Sequence, residues 1–495
     1  MNHKYFLAID EGTTSVRAVV FNEDLSPVGS CQIELTTYRP DQDCVELDAE
    51  EIYQKTVEVC RCAVKQAGIA PACIACCGIT TQRSSWVLWD KETGVPAHKM
   101  VTWLDTRAKH SLASWKKDPE AMAAGGEDLA LARPYTSYVA LRHVLDHDAA
   151  LAERVKKGEL IFGTPDSFLL YRLTKEHVHR IAMSNGSHTG AMLLNGEWNR
   201  KLLNYFDLPL SLFPEICPES FVYGHMDASV LGVEIPITGV VADQQSALFS
   251  QGCLEEGDVK CTNGTGTFVT LNLGHEPKFS TEAFYTRVAW KLGDEVTYMT
   301  EGHSATCGVC VEWMRDHMKW FKSHKELEEM EFSVKDNHDV YFVPALQGMG
   351  TPYLNYGARG AFFGITGDTD ATHMVRAVIE ALAYAGANVC KSVQKLHGVK
   401  MHQVKLSGGV SKNPLIGQYI ANVLGVEVVV PDDMEASLLG AVEFAAMQTG
   451  TLTMDTIRSK FHIKKVYTPD DRAEVCKQEF ARWLKAVDRV LDWRD

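Results

Sequence analysis

The same local pattern opens each half of this chain, and it restricts the fold more than any other feature. Tyr5–Ile9 and Arg17–Phe21 are short apolar runs on either side of a turn rich in Gly and Thr, Asp10-Glu11-Gly12-Thr13-Thr14-Ser15. Val259–Thr270 has the same character, with the turn Thr262-Asn263-Gly264-Thr265-Gly266-Thr267 between two runs. Each reads as a β-hairpin whose turn suits glycine and small hydroxyl residues. The recurrence looks like a duplication, detectable at the level of pattern. At 495 residues the chain exceeds the size at which a single core stops growing, so two domains are expected. The boundary is placed near Phe249–Gly257, giving an N-terminal lobe of residues 1–249 and a C-terminal lobe of residues 250–495.

Strand-like and helix-like segments alternate along the whole length, which is the pattern of α/β architecture. A helix is expected over Glu51–Ala67, a strand over Ile74–Thr80 and a buried strand over Val340–Pro344. A long helix over Ala371–Leu396 shows Met374, Val378 and Leu382 on one face, with Gly398 as its stop. The strand Val404–Leu406 runs into Gly408-Gly409. Asn413 then caps a helix to Leu424, ended by Gly425 and followed by the strand Val426–Val430. A terminal amphipathic helix is expected over Asp471–Leu491.

Composition narrows the partners. A formal net charge of −15 argues against nucleic acid or an anionic membrane. No apolar run reaches the ~18 residues that span a bilayer, and the short apolar N-terminus is not a signal peptide. Fourteen cysteines without an export signal point to reduced thiols in the cytoplasm. The pairs Cys73/Cys76 and Cys307/Cys310 have metal-ligand spacing but apolar flanks, so buried free thiols are expected. His177 and His179 are placed on an exposed edge strand.

No G-x-x-x-x-G-K-[ST] loop and no strand-linked G-x-G-x-x-G occurs. The first hairpin turn offers a different phosphate device. Gly12 permits a tight turn, Thr13 and Thr14 supply hydroxyl and amide donors, and Arg17 adds a charge clamp. Asp10 can hold Mg²⁺ through water. A plain polar turn explains the same residues. The second turn repeats the donors with Thr265 and Gly266, and two such turns could grip a triphosphate from both sides. Asp243 follows the strand-like Ile237–Val241 and opens a helix, where a carboxylate can take the proton of an attacking hydroxyl. There Gln244 would orient a second hydroxyl. An N-cap aspartate is the plainer account. Arg83, Ser84, Trp103, Asp105 and Tyr135 suit a sugar-like ligand, because Arg and Asp bind hydroxyls directionally and an indole covers C–H faces.

The order of these motifs resembles the FGGY carbohydrate kinase family, and within it the glycerol kinases. The matching segments are A-I-D-E-G-T-T-S-V-R, G-I-T-T-Q-R, T-W-L-D-T-R, A-D-Q-Q-S-A-L, N-G-T-G-T-F, V-P-A-L-Q-G-M-G-T-P-Y and L-S-G-G-V-S-K-N, with Gly360–Glu380 similar to the family's C-terminal signature. The resemblance runs from Lys4 to about Ala446. It implies two actin/hexokinase/Hsp70-like (ribonuclease H-like) lobes with ATP and Mg²⁺ in a central cleft. It further implies Asp243 as general base and Arg83, Trp103, Tyr135, Asp243, Gln244 and Phe268 as the polyol pocket. Thr13, Thr14, Arg17, Thr265, Gly308, Gly409 and Asn413 would surround the nucleotide, with Asp10 near the metal.

Three segments depart from the glycerol kinase pattern. Gln82-Arg83-Ser84 stands where those enzymes have Q-R-E, the lysine-bearing stretch after the pocket tyrosine is Thr136–Arg142, and the Gly/Arg-rich regulatory loop is shortened to Ser229–Glu234. The function expected is ATP-dependent phosphorylation of a primary hydroxyl on a small polyol or sugar, glycerol-like or of four to five carbons. A glycerol, pentulose or tetritol kinase fits the same motifs. An ATP-driven switch or chaperone of the same superfamily is the rival from another class, and a catalytically silent sugar sensor is a further one. A homodimer or a homotetramer is compatible with the sequence.

Overall fold

The computed structural model describes residues 4–278, 284–432 and 435–493. They form two compact units: Met1–Gly252 with Arg287–Thr297 and Met434–Phe461, and Cys253–Thr286 with Tyr298–Asp433 and His462–Asp495. The sequence assigns each half one uninterrupted stretch; in the structure two later segments pack with the first unit.

The sheet of the first unit contains β1 (Tyr5–Glu11), β2 (Ser15–Asn22), β3 (Pro27–Glu34), β4 (Ile74–Thr81), β5 (Ser220–Met226) and β6 (Ile235–Ala242), in the order β5-β6-β4-β1-β2-β3. β1, β2 and β3 form an antiparallel meander. β4 runs parallel to β1 and β6 parallel to β4, while β5 closes the edge antiparallel. Phe6, Leu7, Ala8 and Ile9 are all buried, a continuous apolar run of the kind that central strands covered on both faces require. The helix Ala436–Gln448 lies against β4 and β6 so closely that only glycine fits beneath it. A Cβ on Gly78 would stand 2.3 Å from the Ala441 carbonyl oxygen, and one on Gly239 would stand 2.4 Å from the Ala445 nitrogen. This contact matters for function because the helix start, Ser437, then reaches the backbone of Asp243.

The second unit repeats the arrangement with β7 (Asp258–Asn263), β8 (Thr267–Gly274), β9 (Glu295–Ser304), β10 (Gln403–Ser407), β11 (Glu427–Pro431) and β12 (Ile463–Tyr467). Their order is β9-β8-β7-β10-β11-β12, with the same succession of strand directions. The edge strand precedes its neighbour in the chain in the first unit and follows it in the second. The long helix spans Ala371–His397 and stops at Gly398, whose φ of 65° a side chain would resist. Asn413 opens the helix Pro414–Leu424 by accepting from the Leu415 N–H.

Several expectations are corrected. His177 and His179 are not on a strand: they precede the short strand Arg180–Ala182, and the His179 ring packs edge-on against Trp89 with Nε2 on the Phe162 carbonyl. Cys31 on β3 and Cys62 on the helix Ala49–Ala67 are joined by a disulfide, so not every thiol is free. Both C-x-x-C pairs are free thiols. Burial pushes Cys76 up to about 11 and Cys307 and Cys310 up to about 12, far from the thiolate a metal would take. Among the described residues no helix is long and apolar enough to cross a membrane.

Candidate active site

Asp243 is the first residue of the helix Asp243–Ser250, which starts directly where β6 ends. The cap position is Ala242, so the aspartate does not serve as an N-cap; its Oδ1 accepts from the Gln244 N–H at 2.6 Å. The preceding backbone is pinned. The Ala242 N–H donates to Ser184 Oγ at 3.1 Å, and the Ser184 N–H in turn donates to Glu219 at 2.7 Å. Glu219 is fully buried and accepts from the Lys291 N–H through its other oxygen at 2.6 Å. Burial pushes its carboxyl up to about 7 against these two donors.

Arg83 follows the end of β4 and meets Asp243: Nε stands 3.2 Å from Oδ1. Its Nη1 lies 3.2 Å from His188 Nε2. Burial, with Arg83 and Arg287 adding to it, pushes His188 well below the ordinary imidazole range, so the ring is neutral and can accept. Ser84 is buried and held at a φ of 62°; its hydroxyl donates to the His188 carbonyl at 3.3 Å. Trp103 is 37% exposed, and its indole N–H donates to Thr13 Oγ1 at 2.8 Å. Arg83, Ser84, Trp103, Gln244 and Asp243 thus all belong to the first unit, as does Tyr135, which is half-buried in the turn before the helix Ser137–His147.

Asp105 is different. It is buried, its oxygens accept from Arg107 Nε and Nη2, and Oδ2 also takes the Val45 N–H at 2.7 Å. Its carboxylate is committed to holding a loop rather than to a ligand. Phe268 lies on β8 of the second unit, stacked on His303 with ring centroids 6.2 Å apart.

The turn between β1 and β2 is Gly12-Thr13-Thr14, closed by the Gly12 N–H on the Ser15 carbonyl at 3.0 Å. Asp10 stands before it and is pushed up to about 7, chiefly by burial and next by the Asp243 carboxylate, with Arg17 opposing. Glu11 is fully buried and also pushed well up by burial, and its Oε2 has no hydrogen-bond partner. Crowded carboxyls and an orphaned carboxyl oxygen fit a divalent cation. Among the described residues no group of three or more His, Cys, Asp or Glu is arranged as a metal cage. Mg²⁺ needs none, because it keeps most of its water and takes one or two carboxylates. Arg17 is clamped by a partner the sequence did not disclose: Nη1 and Nη2 donate to the two oxygens of Glu435 at 2.6 and 2.7 Å.

In the second unit the turn between β7 and β8 docks on a helix start. The Gly308 N–H donates to the Gly264 carbonyl and the Cys307 N–H to the Thr265 carbonyl, each at 2.9 Å. A Cβ on Gly266 would stand 2.7 Å from the Ser304 carbonyl oxygen, and one on Gly308 would stand 2.7 Å from that of Gly264. Gly409 opens a short 3₁₀ turn with open space at its Cα. The Asn413 amide donates to both oxygens of Glu331, at 2.9 and 2.8 Å. Neither Glu331 nor His188 and Glu435 carried a sequence signal: each lies far along the chain from the residue it holds.

Two α/β units of matching strand order, each with a Gly/Thr turn at its first hairpin, and a carboxylate at a strand end match a phosphotransferase of the actin-like class. The chain belongs to the FGGY family of carbohydrate kinases, whose N-terminal domain matches residues 5–250 and whose C-terminal domain matches residues 259–449. It is a kinase acting on an alcohol group of a polyol or sugar. It is 37% identical to the glycerol kinase of Ectopseudomonas mendocina over 98% of this chain and 99% of that one, and 38% identical to the glycerol kinase of Deinococcus radiodurans over 100% and 99%. Its fold is similar to Plasmodium falciparum glycerol kinase with ADP, with a TM-score of 0.92 at 26% identity over 98% of each chain. The fold of xylulose kinase from Lactobacillus acidophilus superposes with a TM-score of 0.87 at 18% identity over 98% of each chain.

Proposed function

We propose that the chain transfers the γ-phosphoryl group of ATP to a primary hydroxyl of a C4 or C5 polyol or ketose, with Asp243 as general base. The observation that carries this reading is the Arg83–Asp243 pair at the end of β6, where a carboxylate is fixed but still partly open to solvent. The substrate oxygen forms its bond to the γ-phosphorus as the bond to the β-phosphate oxygen breaks. ADP leaves, and the hydroxyl proton passes to Asp243. Arg83, anchored on neutral His188, keeps that carboxylate aimed, while Trp103, Tyr135 and Gln244 orient the polyol. Thr13 and Thr14 in the first unit, and Thr265, Gly266 and Gly308 in the second, are assigned to phosphate oxygens. Gly409 and Asn413 are assigned to the nucleoside. Mg²⁺ would be held by Asp10 with Glu11 beside it and would supply charge neutralisation for the phosphates. The cytoplasm, where ATP is at hand, is the compartment that suits this chemistry.

Substrate length rests on Ser84. A glutamate at this position could accept two charge-assisted hydroxyl bonds; the serine hydroxyl is already donated to His188. Loss of such bonds lowers affinity for a short polyol by about ten- to a hundredfold, while the freed volume admits a longer one. ADP release measured across C3 to C6 polyols and ketoses tests this. A C4 or C5 compound should give a higher kcat/KM than glycerol, and Ser84→Glu should move the preference toward glycerol. The names of the relatives favour glycerol itself as a second reading. Wild-type enzyme that prefers glycerol over every longer compound decides for it.

A further inference from the structure

Gln82 stands between Arg83 and the end of β4 and is 2% exposed, yet all four hydrogen-bonding positions of its amide are filled. Nε2 donates to Glu11 Oε1 at 2.7 Å and to the Gly12 carbonyl at 3.2 Å. Oε1 accepts from Ser85 Oγ at 2.8 Å and from Thr13 Oγ1 at 3.3 Å. The same two hydroxyls hold Trp103: Thr13 Oγ1 accepts from the indole N–H at 2.8 Å, and Ser85 Oγ accepts from the Trp103 backbone N–H at 3.1 Å. Gln82, Thr13, Trp103 and Ser85 therefore close a ring of hydrogen bonds in which every proton has one direction.

Thr13 has a single hydroxyl proton, and in the ring it points along the longest of these bonds. A phosphate oxygen, which can only accept, would take that proton readily, because Ser85 still fills Gln82 Oε1 when Thr13 leaves. The Thr13 oxygen goes on accepting from the indole meanwhile, and a hydroxyl that accepts is the stronger donor. A polyol packed on the half-exposed indole holds it on Thr13 and so favours phosphate capture, and the reverse follows by linkage.

We propose that Gln82 is a positioning residue that couples the phosphate turn to the polyol wall through Thr13 and Trp103, so that nucleotide and polyol each tighten the binding of the other. This rests on the reading of Thr13 as a phosphate contact and of Trp103 as a polyol contact.

Calorimetric titration of the full chain tests it, with glycerol as the polyol probe and a non-hydrolysable ATP analogue with Mg²⁺ as the nucleotide. In the wild type the analogue should lower the Kd of glycerol by about fivefold or more. Gln82→Leu and Thr13→Val should bring that ratio to one, and Thr13→Ser, which keeps the hydroxyl, should restore it. A role confined to stability would lower Tm and leave the ratio unchanged. A ratio of one in the wild type, or a wild-type ratio retained in Gln82→Leu or in Thr13→Val, overturns the proposal. Should Gln82→Leu not fold, the Thr13 pair decides alone. If instead Thr13→Val leaves nucleotide affinity intact and Trp103→Phe leaves glycerol affinity intact, it is the assignment of the site that fails.

Discussion

The two hairpin turns have the same strand directions around them and similar residues in them, yet they differ in what is left over. In the first, half-buried Asp10 and fully buried Glu11 are carboxyls pushed far above their ordinary range, and one Glu11 oxygen has no partner. In the second the leftover group is a donor, not a charge: Asn263 Oδ1 takes the Thr267 hydroxyl at 2.7 Å while its Nδ2 has no partner, and the Gly264 and Thr265 carbonyls are capped by a helix start. The first turn holds electrostatic strain that a bound cation can relieve. The second is an uncharged cradle built on tight glycines. Repeated architecture has therefore not kept a repeated environment: the turn with raised carboxyls lies in the first unit, which also holds Asp243.

The strongest test of that division compares Asp243→Asn with Asn263→Ala. Removing a general base costs on the order of 10²–10⁴ in rate, so Asp243→Asn should lose most turnover while its nucleotide affinity, read by calorimetry, stays near wild type. Asn263→Ala should lower Tm and retain most of kcat. If Asp243→Asn kept full turnover, the first unit would no longer be the seat of chemistry.

A smaller effect separates the turns by packing. Gly266→Ala places a methyl group 2.7 Å from the Ser304 carbonyl oxygen, which sits on β9 and has little room to yield. Overpacking of this kind costs about 1–3 kcal/mol, and thermal unfolding should show it. Gly12→Ala meets only the Ser15 carbonyl oxygen, at 3.3 Å, and should cost clearly less. Equal losses in the two variants would mean that both turns are cradles of the same stiffness.

Much of this was readable in the sequence because the features are local. Turn glycines, Asn413 as a cap, Gly398 as a stop and the aspartate after β6 all depend on near neighbours in the chain. The pairings that decide how the site behaves are not local. Arg17 is neutralised by Glu435, Arg83 is anchored on His188, and Asp105, which looked like a ligand for hydroxyls, is held by Arg107 and a backbone N–H. Nothing in the spacing of these residues announces which charge will meet which, since that follows from strand order and from the helix Ala436–Gln448 folding back on the first unit.

The pH dependence is the sharpest probe of the contrast, because it asks which turn titrates. Asp10 in the folded chain is raised from 3.8 to about 7, so between those values the folded state binds more protons than the unfolded one. Stability from this group is complete below the unfolded value and is lost as pH rises toward 7. Asp10→Asn removes that loss, so the Tm of the variant should gain on wild type as pH is raised from 4 to 7, and then hold its lead. Glu11 is shifted in the same direction, so the variant's own pH dependence should shrink rather than vanish. Mg²⁺ should reverse the penalty above pH 7, where the Asp10 carboxylate is ionised and can take the cation. The wild-type Tm should then rise with added Mg²⁺, and the Asp10→Asn value should respond less. Asn263→Ala should leave both the pH slope and the Mg²⁺ response as in wild type. An Asp10→Asn Tm that fails to gain on wild type between pH 4 and 7, or an equal Mg²⁺ response in Asp10→Asn, would show that the raised carboxyls of the first turn are not what sets it apart from the second.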